Sequence, residues 1–209
     1  MQEEAAMNRS TFHLISLVTA ISFFFLLTSC QTTTVNLNPD TNDYDVNLNV
    51  NDYKPKLSGI NPAYKGKAMC LSNIRNDARN TSNFSYYSKD LKVRYNLSNK
   101  GNTFMQLVPS FFWYAYQKAF EHAGITTIEH CSGNIPELWI IFQSFDDEEL
   151  QLKITLLENR KTIFEKNLKV TMSPASGRHP ATLQTRAYEM IDLTINTILN
   201  DSCFQAAFL

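Results

Sequence analysis

The chain has 209 residues, with 19 Lys and Arg against 20 Asp and Glu and a formal net charge of −1. So even a balance provides no cationic footprint for a polyphosphate, and nucleic acid is set aside as a partner. The length suits a targeting segment, a connecting stretch and one domain with a real core, and no internal repeat is visible.

From Leu14 to Leu27 the chain runs apolar and almost uncharged, with Arg9 before it and the small residues Thr28 and Ser29 after it. This is the layout of a secretory signal, and fourteen residues fall short of the roughly twenty that a membrane-spanning helix needs. Glu3 and Glu4 oppose the positive flank such a signal wants, whereas a start at Met7 gives MNRSTFH, so Met1 and Met7 both stand as starts. Leu27-Thr28-Ser29-Cys30 resembles the lipobox of bacterial lipoproteins. The resemblance implies that the Cys30 thiol accepts a diacylglyceryl group as a thioether. Cleavage before Cys30 then frees an amine for a further acyl chain, and two or more chains anchor a protein stably. In that family Asp directly after the cysteine goes with the inner membrane. Gln31 stands here instead, which implies the periplasm-facing side of the outer membrane. Beyond residue 29 the chain keeps 18 basic and 18 acidic side chains. Asn-x-Ser/Thr triplets, among them those at Asn8, Asn80, Asn83 and Asn96, carry meaning only in a eukaryotic secreted chain.

The sequence divides into a signal over 1–29, a lipidated N-terminus with an Asn/Asp-rich tether over 30–65, and a domain over 66–209. The tether is expected to be mostly extended or disordered. Within it, Val46, Leu48 and Val50 alternate with Asp and Asn, the period of a strand that docks at an edge. Asp43, Asp45 and Asn47 are spaced like the first ligands of a calcium loop. Leu48 in place of Gly and Lys54 in place of Glu remove that reading.

Through the domain, KAMCLSNI, FSYYS and LKVRYNL read as strands. MQLVPSFFWYAYQKAFEHAG reads as a helix starting near Leu107 and closed by Gly124, with Met105, Val108, Phe112, Ala115, Ala119, Phe120 and Ala123 inward. ITTIEH, ELWIIFQSF, LQLKITLLE and TIFEKNLKVTM read as strands, the second of them central, with turns at Asp146–Glu149 and Asn159-Arg160. A last helix over about 181–200 turns Leu183, Ala187, Met190, Ile191, Thr194 and Ile198 inward. Together these predict an α+β fold, an antiparallel sheet with two helices packed on one face. The order of elements over about 67–200, with Gly124-Ile125 closing the first helix and INTILND ending the last, resembles periplasmic lipoproteins of the YajG type and the auxiliary lipoproteins of lipid-transport systems.

A helix buries a third to a half of its surface, so Phe111, Trp113 and Tyr114 cannot all face one sheet, and they form a candidate interaction surface unless the tether or the second helix covers them. Glu129-His130-Cys131, with His122, contains metal-ligand types, but no further Cys or His stands at zinc spacing, and no metal or cofactor is expected. Ser173, Ser176 and His179 share a loop without a recognisable nucleophile motif. Once Cys30 is lipidated, three cysteines remain. Antiparallel strand directions bring Cys131 and Cys203 to one end and leave Cys70 as a small buried residue. Such a bridge would contribute roughly 4 kcal/mol. The sequence thus reads as a non-catalytic, lipid-anchored module of the envelope, bound to membrane through its anchor and to a protein or lipid partner. It would be an accessory to envelope assembly or lipid transport. An envelope hydrolase built on Ser176 and His179, and a purely structural surface lipoprotein, are the alternatives.

Overall fold

A computed structural model describes residues 44–98, 105–131 and 134–209. The signal, both candidate start sites, Cys30, the tether up to residue 43 and Asn8 lie outside the described residues. The fold is α+β, with two sheets and, among the described residues, three α-helices.

The smaller sheet has the order β1 (Tyr44–Asn49), β5 (Val93–Ser98), β4 (Ser85–Tyr87), parallel then antiparallel. In the larger sheet β6 (Thr126–Ile128) pairs with β2 (Ala68–Leu71), β2 with β7 (Glu137–Phe145), β7 with β8 (Glu149–Glu158) and β8 with β9 (Lys161–Thr171). The two-residue β3 (Arg75–Asn76) continues β2 along the same edge of β7. The larger sheet is mixed instead of antiparallel, because β2, β3, β6 and β7 all run the same way. Only the β7–β8 and β8–β9 hairpins reverse direction. Asn159 and Arg160, with φ of 50° and 64°, form the left-handed two-residue turn that matches strand twist in the second hairpin.

Leu138, Ile140, Phe142 and Phe145 of β7 and Leu150, Leu152, Ile154 and Leu156 of β8 are buried on one face, whereas Trp139 on the other is exposed. Helix α1 (Val108–His122) lies on the buried face. Pro109 sits in its first turn, where the missing N–H has no helical partner to lose. Gly124 follows at φ +91°, and a Cβ there would approach the Lys65 backbone to 3.1 Å. Phe112 meets Phe142 at 5.2 Å and Phe145 at 5.0 Å edge-on, and also Tyr86 of the smaller sheet at 6.2 Å. Helix α2 (Pro180–Leu199) buries all six residues expected to face inward, plus Asp192, Ile195 and Leu199. A short α3 (Ser202–Phe208), capped by Asp201, seats Phe204 on Phe164 of β9 at 5.5 Å.

The folded part reaches back to Tyr44, well before the expected boundary at 66. Strand β1 docks at the edge of the smaller sheet, as its alternation predicts, with Asp45 held by Arg94 at 2.7 and 2.8 Å. Beyond it the chain forms a strap across α2. The Tyr53 hydroxyl donates to Asp192 at 2.7 Å, the Lys56 N–H to the same oxygen at 3.0 Å, and the Tyr64 hydroxyl to the Leu199 carbonyl at 2.8 Å. From α1, Lys118 Nζ donates to the Val50 and Tyr53 carbonyls at 2.8 and 2.9 Å. Desolvation lowers the pKa of that ammonium, and the strap carbonyls replace the water it loses. Tyr53 and Tyr64 are fully buried, so this part of the tether belongs to the core.

The cysteine pairing also differs from expectation. Cys70 and Cys131 form the disulfide, Cα to Cα 5.3 Å, and Cys203 is a free, exposed thiol. The expected Cys131–Cys203 bridge required β6 and β7 to run in opposite directions. They are parallel, on either side of β2, with Ile128 ending β6 and Glu137 starting β7 both opposite Cys70, so every later element, including α2, runs opposite to the direction expected.

Candidate functional site

A cleft of about 550 Å³ opens where β2 and β6 end and α1 begins. The crevice outside the carboxyl ends of parallel strands is where a mixed or parallel sheet offers backbone groups and loops to a ligand. One wall comes from α1, with Pro109, Ser110, Trp113 and Tyr114. The floor is Leu71 to Ile74, leaving β2, and the opposite wall is Glu129, His130 and Cys131, leaving β6.

The pairing of β2 with β6 ends at Cys70 opposite Ile128. The next carbonyl, Leu71, accepts from the Trp113 indole Nε1 at 3.0 Å instead of from a strand. That bond fixes one edge of the indole inside the protein. Trp113 is half-buried against the core, and Tyr114, 42% exposed, stands perpendicular to it with ring centroids 5.0 Å apart. Of the three aromatic residues singled out from sequence, these two line the cleft and Phe111 does not. Phe111 is fully buried because α1 packs against β3, β5, β6 and α2 together, so more of its circumference is covered than one sheet would cover.

Further exposed apolar side chains stand on the segments that lead into α1 and into β4. The Phe84 carbonyl accepts the Leu97 N–H, Met105 bridges Ser98, and Leu107 is the residue capping α1. Phe84, Met105, Leu107 and Tyr114 are 40 to 54% exposed. Met105, expected to face inward, stands ahead of the helix and turns outward.

Among the described residues Glu129 is the one carboxylate lining the cleft, His130 the one imidazole, and no lysine or arginine lines it. Both sulfurs are bound to each other, and neither Glu129 nor His130 hydrogen-bonds a described residue. The lining is built for contact with a partly apolar group. Among the described residues no group of three His, Cys, Asp or Glu side chains is placed to hold a metal ion.

The loop of Ser173, Ser176 and His179 lies elsewhere. Ser176 lines two open clefts at the start of α2, His179 is exposed and lines neither, and no hydrogen bond joins the two. Arg178, between them, pairs with Asp90 at 2.7 Å.

No family model matches the chain, and no curated protein matches it. Among solved structures, protein XCC0632 from Xanthomonas campestris, a DUF330 family member, is similar with a TM-score of 0.52 at 12% identity, covering 74% of this chain and 91% of that one. The lipoprotein GNA1162 from Neisseria meningitidis is matched at a TM-score of 0.36 and 8% identity, over 65% of this chain and 99% of that one. The likeness to the Xanthomonas protein is one of fold.

Proposed function

We propose that this chain is a lipid-anchored lipoprotein of the bacterial envelope, held at the periplasm-facing side of the outer membrane through Cys30. It acts there without catalysis, as a binding accessory to envelope assembly or lipid transport. The observation that carries the binding role is the cleft itself, with the Trp113 and Tyr114 pair at its wall. The anchoring rests on the apolar run and small residues before Cys30. The Cys70–Cys131 disulfide suits a compartment in which disulfides persist, and no helix among the described residues is long and apolar enough to cross a membrane. The hydrolase alternative lacks comparable support, since Ser176 and His179 do not converge.

Two measurements test the proposal. Cys30→Ser should leave an unprocessed precursor that takes up no labelled fatty acid, and normal labelling of that variant would sink the anchoring. A photo-crosslinker at Tyr114 in cells should capture an envelope protein or lipid that the same crosslinker at exposed Glu158 does not. Equal capture at both positions would remove the cleft as the binding surface.

A further inference from the structure

The wall of the cleft opposite the aromatic pair is held in an unusual way. Strand β6 ends at Ile128, and Glu129, His130 and Cys131 make no hydrogen bond, from backbone or side chain, to any described residue. Among the described residues, what joins them to the body besides their continuation from β6 is the bond from Cys131 to Cys70. Cys70 is fully buried in β2, one residue before the Leu71 carbonyl that holds the Trp113 indole, whereas Cys131 is exposed and lines the cleft.

We infer that the Cys70–Cys131 disulfide is a redox clasp on the cleft: intact, it holds Glu129 to Cys131 as a wall facing Trp113, and two-electron reduction by a dithiol releases that wall while the body stays folded. The inference rests on the reading of the cleft as the binding surface and supplies its regulation. The body does not depend on the bond for its pairing. Cys70 still donates to Pro136 at 2.8 Å and Ser72 to Leu138 at 3.0 Å, and the core beneath β7 and β8 lies on the far side of β2 from β6.

The asymmetry of the two sulfurs sets the chemistry. A thiolate of the dithiol attacks the exposed Cys131 Sγ, the S–S bond breaks, and Cys70 leaves as a thiolate that takes a proton. The second thiol of the dithiol attacks the mixed disulfide and frees Cys131, so that two electrons and two protons pass to the protein and the dithiol becomes a disulfide. Burial in apolar surroundings raises a thiol's pKa and makes Cys70 a poor leaving group, so the exchange that opens the clasp is slow.

The test uses the full chain carrying Trp139→Phe. Trp139 is exposed on the outer face of β7, and its removal leaves Trp113 as the one tryptophan. Oxidised protein, dithiol-reduced protein and a Cys131→Ser variant are compared by acrylamide quenching of Trp113 and by hydrogen exchange. Reduction and Cys131→Ser should each raise the quenching constant by about twofold, while peptides from β8 stay protected and exchange faster only by the factor set by the loss of global stability. Unchanged Trp113 quenching would overturn the clasp, and so would loss of β8 protection in step with Trp113, which would make the bond a staple of the whole domain. These readouts need no partner, so failure to capture one at Tyr114 would sink the binding role without touching the clasp.

Discussion

The Trp113 indole donates to the Leu71 carbonyl at 3.0 Å, at the first position where β2 has no neighbour on the β6 side. Trp113 therefore belongs both to the cleft and to the framework under it, and Tyr114 to the cleft alone.

That difference separates two substitutions. Trp113→Ala removes a half-buried ring and leaves the Leu71 carbonyl without its donor, and should cost about 1–2 kcal/mol of stability. Tyr114→Ala truncates an exposed ring and should cost less than about 0.5 kcal/mol. Both should weaken capture of the partner, so Tyr114→Ala, read by chemical denaturation and crosslinking together, is the cleaner probe. An equal loss of stability in the two variants would contradict the placement of Trp113.

Non-reducing peptide maps should contain a linked pair carrying Cys70 and Cys131, with Cys203 alkylated before any reductant is added. Closing a loop between residues 61 apart constrains the unfolded chain, so Cys70→Ala should lower stability by about 2–4 kcal/mol. A peptide pair joining Cys131 to Cys203 would require β6 and β7 to be antiparallel and would overturn the parallel order of the larger sheet.

The strap supplies a third test. Tyr53→Phe keeps the ring and removes the hydroxyl that donates to the buried Asp192 carboxylate, leaving that oxygen with the Lys56 N–H. The expected loss is about 1–3 kcal/mol. Asp192→Asn in the Tyr53→Phe background should cost less than in the wild type, and additive losses in this double-mutant cycle would show that the two groups do not interact.

The hairpins and helices were legible in the sequence because their signals are local: the alternation of Leu150, Leu152, Ile154 and Leu156, the turn at Asn159-Arg160, and Pro109 in the first turn of a helix that Gly124 ends. The strap was not. Tyr53 and Tyr64 are isolated aromatics among Asp, Asn, Lys and Pro, and what orders them is contact with Asp192 and Leu199, more than 130 positions away. Both walls of the cleft were picked out separately, as an aromatic run and as a Glu-His-Cys triplet. Nothing local says that they face one another, because their meeting depends on β2 entering between β6 and β7. The aromatic surplus on α1 was half legible: it foretells an exposed ring, but which ring depends on the several elements that pack around the helix and bury Phe111.

Buried tyrosines make the fold sensitive to alkali. Desolvation raises the hydroxyl pKa of Tyr53, Tyr86, Tyr95 and Tyr116 well above the ordinary 10.0, and that of Tyr64 to about 12. Nearby carboxylates push further the same way, Asp192 on Tyr53 and Asp147 on Tyr95, whose hydroxyl donates to it at 3.0 Å. The sign follows from proton counting. Below pH 10 these tyrosines are neutral in both folded and unfolded chains and contribute no pH dependence. Above pH 10 the unfolded chain gives up protons that the folded chain keeps, so stability falls as pH rises. Each such residue adds a slope of up to about 1.4 kcal/mol per pH unit, and several titrating together exhaust a domain stability of about 5–15 kcal/mol within about two units. Phenolate absorbance and far-UV circular dichroism should therefore change together in one cooperative step between pH 10 and 12, with ionisation of the buried tyrosines following unfolding. Smooth ionisation of all the tyrosines near pH 10 with circular dichroism unchanged would mean that these hydroxyls are open to water, and the packing of both the strap and the smaller sheet would have to be redrawn.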